Sequence, residues 1–150
     1  MTQVQSTVIE ERLQKFQEAC RARGLKITPQ RLEIFRELAS TKEHPSAEDI
    51  FERIRVRMPT VSLDTVYRTL STLNETGIVS RVEVLDDRCR FDANTERHHH
   101  FVCVRCKRVV DFEWPGFDHL QIPEELRGVG VIHQPHAELR GVCHACLRKE

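Results

Sequence analysis

Two Cys-x-x-Cys pairs, Cys103–Cys106 and Cys143–Cys146, constrain this chain more than any other feature. One such pair offers two thiolates to a single ion. Two pairs together complete the tetrahedral four-sulfur set of a structural zinc (Zn2+) site. Between Cys106 and Cys143 lie 36 residues, so the ion staples a later strand to an earlier one. A small domain with little core needs such a staple. A thioredoxin-like redox pair requires a strand–helix–strand setting, and neither pair has one. The other two cysteines read differently: Cys20 falls on the apolar face of a helix, and Cys89 has no assignment.

A chain of 150 residues holds one ordinary domain or two small ones. Lys and Arg number 23, as do Asp and Glu; a cut after Asp92 leaves 15 of each sign before it and 8 of each after it. Bulk charge thus gives no hint of nucleic acid, and any such function must rest on local geometry. Of the basic residues 18 are Arg, whose planar guanidinium suits phosphate and guanine. No apolar stretch of signal-peptide type lies between Met1 and Phe16, and no apolar run approaches a membrane span. The expected location is cytoplasmic, where thiols stay reduced and paired cysteines point to metal rather than disulfides.

The first ninety residues read as helices. Ile9, Leu13, Phe16 and Cys20 form one stripe that Gly24 ends. Thr28-Pro29 caps a second helix with Leu32, Phe35, Leu38 and Ala39 inward. Ser46 caps a third, with Ala47, Ile50 and Ile54 inward, closed by Pro59. Ser62 caps a fourth from Leu63 to about Glu75, whose apolar face is Leu63, Val66, Leu70 and Leu73. Its other side shows Asp64, Arg68, Ser71 and Thr72, with Thr65 and Tyr67 on the flanks. A strand at 78–84, a turn at Asp86-Asp87 and a return at 88–91 follow. That order is a winged helix-turn-helix, in which the fourth helix enters the DNA major groove. Thr65, Tyr67, Arg68 and Ser71 are then candidate DNA contacts, with Arg81, Arg88 and Arg90 reaching phosphates or the minor groove from the ribbon.

Beyond a hinge-like stretch at about 92–96 the pattern turns to strands: His98 to Val104, Arg108 to Phe112, and Val129 to Leu139. A helix is expected between Phe117 and Arg127. The fold class is therefore α+β, a winged helix at residues 1–92 followed by a small α/β domain at residues 97–150. His98, His99 and His100 open the first of these strands after Asp92, with Asp111 further on. Alternation places His98 and His100 on one face and His99 on the other. Two imidazoles and two carboxylates make a mixed set that suits Fe(II), Mn(II), Zn or Ni; a solvated, histidine-rich strand start is the plain alternative. His44, before Pro45 in a loop, reads by itself as a polar loop residue.

With these motifs together, the chain resembles the ferric uptake regulator family over nearly its whole length. The carrying residues are Ile27-Thr28-Pro29-Gln30-Arg31, His44-Pro45-Ser46-Ala47, Thr65-Val66-Tyr67-Arg68-Thr69-Leu70, Gly77-Ile78-Val79, Arg90-Phe91-Asp92, His98-x-His100-x-x-Cys103-x-x-Cys106 and Gly141-Val142-Cys143-x-x-Cys146. The resemblance implies a homodimeric, metal-dependent transcriptional repressor and not an enzyme. It implies a dimerisation domain carrying the four-cysteine zinc and a palindromic double-stranded DNA operator. It also implies a regulatory metal, Fe2+ or Mn2+, on His44, Asp92, His98, His100 and Asp111. Asp at both carboxylate positions is similar to the peroxide-sensing branch rather than the iron-uptake branch. In that branch Fe(II) reacts with hydrogen peroxide, and oxidation of His44 or His98 releases DNA. Arg97 and Pro135 depart from the iron-uptake pattern and weaken an additional metal site there, whereas Arg68 resembles iron- and zinc-uptake members. Iron or other metal uptake is thus the alternative reading. A metalloenzyme using His98, His100 and Asp111 lacks a general base beside them.

Overall fold

A computed structural model describes residues 3–83 and 88–149. The chain divides into two compact units, Met1–Thr95 and Glu96–Glu150. The turn expected at Asp86-Asp87, and the end of its strand at Val84, lie outside the described residues.

The first unit runs α1 (Gln3–Ala22), α2 (Pro29–Ala39), α3 (Ala47–Ile54), α4 (Leu63–Glu75), β1 (Ser80–Glu83) and β2 (Cys89–Asp92). Helices α2, α3 and α4 each begin where a side-chain oxygen takes an otherwise unpaired backbone N–H. Thr28 accepts from the Arg31 N–H, Ser46 from Asp49, and Ser62 from Thr65. Gly24 and Gly77 end α1 and α4 in the left-handed region, at φ 69° and 74°. That conformation lets the Leu25 and Ile78 N–H groups close onto Cys20 and Leu73 carbonyls at 2.8 and 2.9 Å. Helix α3 stops at Ile54, short of Pro59, and the chain goes on as a turn in which the Arg57 and Met58 N–H groups share the Ile54 carbonyl. Arg57 then reaches Glu37 and Glu33 of α2 at 2.9 and 3.4 Å.

The expected apolar faces, Leu63 apart, meet in one core of Leu13, Phe16, Cys20, Phe35, Leu38, Ile50, Ile54, Val66, Leu70 and Leu73, among others; Leu63 is half-buried at the start of α4 outside it. Phe16 and Phe35 stack with ring centroids 4.1 Å apart. Cys20 is wholly buried there, as its helical position implied. Thr69 joins the buried face of α4, a position where hydroxyl chemistry alone predicts exposure. Strands β1 and β2 pair antiparallel, Ser80 opposite Asp92 and Glu83 opposite Cys89.

The second unit is built on β3 (His99–Cys103), β4 (Val109–Phe112) and β5 (Glu138–Gly141), in the order β4-β3-β5. β3 pairs antiparallel with β4 and parallel with β5. Short helices α5 (Pro115–Asp118), α6 (Glu124–Arg127) and α7 (His144–Leu147) complete it. Two expectations need correction. The helix expected between Phe117 and Arg127 is two separate turns, because Pro123 cannot donate into a continuous ladder and disfavours helical backbone before it. The strand expected from Val129 is irregular until Glu138, since Gly130 and Pro135 interrupt the run and only residues from His100 to Cys103 on β3 offer it pairing. Buried apolar residues described in this unit are few: Val102, Cys103, Val109 and Ala137.

Candidate metal centres

The four thiols of Cys103, Cys106, Cys143 and Cys146 converge, with all sulfurs within 4.8 Å of one another. Two tight turns present them. Cys103 ends β3, the Lys107 N–H closes onto the Cys103 carbonyl at 2.9 Å, and the left-handed φ of 63° at Lys107 turns the chain back. Cys143 precedes α7, and the Cys103–Gly141 register of β3 and β5 carries the second turn beside the first. A tetrahedron with bonds of about 2.3 Å has sulfur–sulfur edges of about 3.8 Å. The Cys106 and Cys143 sulfurs are 3.8 Å apart. Backbone N–H groups of Cys106 and Cys143 pull the Cys103 thiol down to about 6. Cys146 is pushed up to about 12, first by its bond with Cys143 and then by burial and the other two thiols. Four clustered thiols cannot all ionise without a cation, so the donor set fits a divalent ion of zinc type.

Across β3 and β4 the second unit gathers His98, just before β3, with His100 and Asp111. His98 Nε2 and His100 Nε2 are 3.0 Å apart, and Asp111 Oδ1 lies 3.2 Å from His100 Nε2 and 3.7 Å from His98 Nε2. Donors about 2.1 Å from one ion and at right angles are about 3.0 Å apart. The spacing thus matches neighbouring positions on a common ion. His98 Nδ1 donates to the Glu96 carbonyl at 2.6 Å, which leaves Nε2 as a lone-pair donor. Asp111 is held opposite His100 by the β3–β4 register.

His99 points to the opposite face, as alternation requires, and is wholly buried. Its Nδ1 accepts the Ala137 N–H at 3.0 Å, so Nε2 carries the proton and donates to Asp118 at 2.9 Å. Arg97 binds the same carboxylate oxygen at 2.8 Å. His99 is therefore a structural cross-link between β3, α5 and the approach to β5. Its environment answers a question its sequence position leaves open.

In the first unit His44 and Asp92 form a buried pair, Nε2 to Oδ2, at 3.2 Å. They meet because the loop before α3 pairs with β2: Ser46 bridges Arg90, and the Phe91 N–H donates to the Pro45 carbonyl. His44 holds a left-handed φ of 53°, a strained conformation for a residue with a side chain and doubly so before proline. Such strain persists where packing enforces it.

The α4 face carries the remaining candidates. Tyr67, Arg68 and Ser71 are exposed and Thr65 is half-buried. The Tyr67 hydroxyl donates to Glu48, a partner that sequence spacing does not reveal. Arg68 pairs with Asp64 at 2.9 Å, one helical turn earlier, which i,i+4 spacing does reveal. Arg81 and Arg88 are exposed, and Arg90 is half-buried in β2. His136, absent from the expected ligand set, lies against the second-unit cluster, its Nε2 3.0 Å from His100 Nδ1.

Comparison with known proteins places this geometry in context. The family model of the ferric uptake regulator family matches residues 22–134. The chain is 37% identical over 134 residues to a peroxide operon regulator of Bacillus subtilis, covering 89% of this chain and 92% of that protein. It is 34% identical over 139 residues to a peroxide-responsive repressor of Staphylococcus epidermidis, covering 92% of each. A solved zinc uptake regulator complexed with zinc and DNA is similar in structure, with a TM-score of 0.68 and 28% identity over 94% of this chain and 96% of that one.

Proposed function

The chain belongs to the ferric uptake regulator family, and on that premise we propose that it is a peroxide-responsive, metal-dependent transcriptional repressor. The observation that carries the reading is the convergence of His98, His100 and Asp111 at the spacing of ligands on one ion, at the start of the strand that ends in the four-cysteine cluster and on β4 beside it. Cys103, Cys106, Cys143 and Cys146 hold zinc. His44 and Asp92 join His98, His100 and Asp111 as ligands of a regulatory Fe(II) or Mn(II). Asp at both carboxylate positions and the names of the relatives support peroxide sensing.

Residues 1–92 bind DNA through α4 and the β1–β2 ribbon, and residues 97–150 dimerise. Exposed Val110, Leu126, Val129, Val131, Ile132 and Leu139 give the second unit an apolar surface suited to a second copy. Ligands drawn from both units make metal occupancy fix the two α4 helices at a spacing matched to a palindromic operator. Coupling of this kind is reciprocal: whatever factor the metal adds to DNA affinity, DNA adds to metal affinity. Bound Fe(II) supplies a local reaction with hydrogen peroxide that Mn(II) does not. The chain contributes the imidazoles of His44 and His98 as oxidation targets, and loss of either as a ligand releases DNA. Such a protein works in the cytoplasm and is not an enzyme. No helix among the described residues is long and apolar enough to cross a membrane.

The test is DNA release by low peroxide from Fe(II)-loaded and Mn(II)-loaded protein, with mass spectrometry of the His44 and His98 peptides. Release from the Fe(II) form alone, with oxygen added to one of these peptides, is expected. An Fe(II) form that resists peroxide and gains no oxygen sinks the sensor reading. It would favour an iron-uptake or other metal-uptake regulator, the reading that Arg68 supports.

A further inference from the structure

His100 has two ring nitrogens facing different groups. Nε2 faces His98 and Asp111, and Nδ1 faces His136 Nε2 at 3.0 Å. A neutral imidazole carries one proton, and a nitrogen that carries it cannot bind metal. If His136 donates to Nδ1, the His100 proton sits on Nε2 and blocks the ligand position. If His136 accepts from Nδ1, Nε2 is freed. Metal-ligating histidines are fixed in this way by the partner of the other nitrogen.

We propose that His136 is the positioning residue of the regulatory site: it accepts the Nδ1 proton of His100 and so holds the ligand tautomer and ring orientation. The inference rests on the regulatory-metal reading above. Two hydrogen bonds and a strand register on the adjacent backbone make His136 a built partner rather than a passing contact. The Ala137 N–H is held by the buried His99 ring, the Ala137 carbonyl accepts the His100 N–H at 3.2 Å, and Glu138 opens the strand paired with His100. His98 has the equivalent arrangement through the Glu96 carbonyl. Both imidazoles of the cluster therefore have a second-nitrogen partner, one supplied by backbone and the other by His136.

The test uses full-length, zinc-loaded protein titrated with Mn(II), free ion being read by electron paramagnetic resonance. His136→Leu fills similar space and cannot accept a hydrogen bond; His136→Gln can accept one through its amide oxygen. Leucine is expected to weaken Mn(II) binding about 10–100-fold, with glutamine restoring most of the loss and zinc content unchanged in both. Wild-type affinity in His136→Leu, or equal weakening by both substitutions, overturns the positioning role. Wild-type protein that takes up no Mn(II) beyond its zinc overturns the regulatory-site reading, and this inference with it.

Discussion

Replacing Cys143 by serine should unfold the second unit and leave the first standing. Buried apolar side chains in the second unit are Val102, Cys103, Val109 and Ala137. Each large aliphatic among them contributes about 1.5–3 kcal/mol. A structural zinc contributes roughly 10–16 kcal/mol to small domains that depend on it, as much as the whole stability of a typical domain, about 5–15 kcal/mol. The first unit has no cysteine in the cluster, and its core draws on all four long helices. Two spectroscopic signals separate the units. Trp114 is the sole tryptophan and packs 5.5 Å from Phe117 and 6.3 Å from Phe112 in the second unit. Helices α1–α4 dominate the far-ultraviolet circular dichroism. Cys143→Ser should shift Trp114 emission to the red and lose zinc, while most of the signal at 222 nm persists and melts cooperatively. Native Trp114 emission in a zinc-free variant would refute the staple argument. Collapse of the helical signal would refute the independence of the first unit.

Other consequences follow from single contacts. His44→Ala should remove the metal-dependent gain in operator affinity, about 5–150-fold for couplings of this type, with zinc content unchanged; parallel zinc loss would show that the two metal sites are not separate. Ser46→Ala should destabilise the first unit by about 0.5–2 kcal/mol in urea titrations, since it removes the N-cap of α3. Asp49 is pushed up by burial, but bonds from the Ser46 N–H and hydroxyl outweigh this and hold its carboxyl below the ordinary value. Its contribution is therefore present above the usual carboxylate range and lost as pH falls through the folded value. Asp49→Asn should flatten the acid limb of stability below about pH 4, read by circular dichroism. Arg68→Ala should cost about 1–3 kcal/mol at the operator and much less on random DNA, measured by fluorescence anisotropy; equal losses on both would make Arg68 a phosphate contact.

Local chemistry made some of this structure legible in sequence. Ser62 and Gly77 bracket α4 because a cap and a left-handed stop act within one turn of chain. The four cysteines are legible because thiolate spacing is itself the ligand geometry. The pairing of His44 with Asp92 depends on the bridge between Ser46 and Arg90, which no periodicity encodes. His136 is invisible for a related reason: its partner lies 36 positions earlier and they meet only through the parallel pairing of β3 with β5. The over-long strand from Val129 shows the converse error. β-branched residues favour extended backbone, but a strand exists only where a neighbour offers hydrogen bonds.

The parallel register of β3 and β5 also sets an order of events during synthesis. Cys103 and Cys143 stand 40 residues apart, which a ribosome covers in about 2–8 s at 5–20 residues per second. For that interval the nascent chain carries two thiols and a histidine pair with no β5 beside them. The helical unit, already complete, can fold meanwhile on local contacts. A newly made copy thus completes its helical unit before all four thiols of the cluster exist.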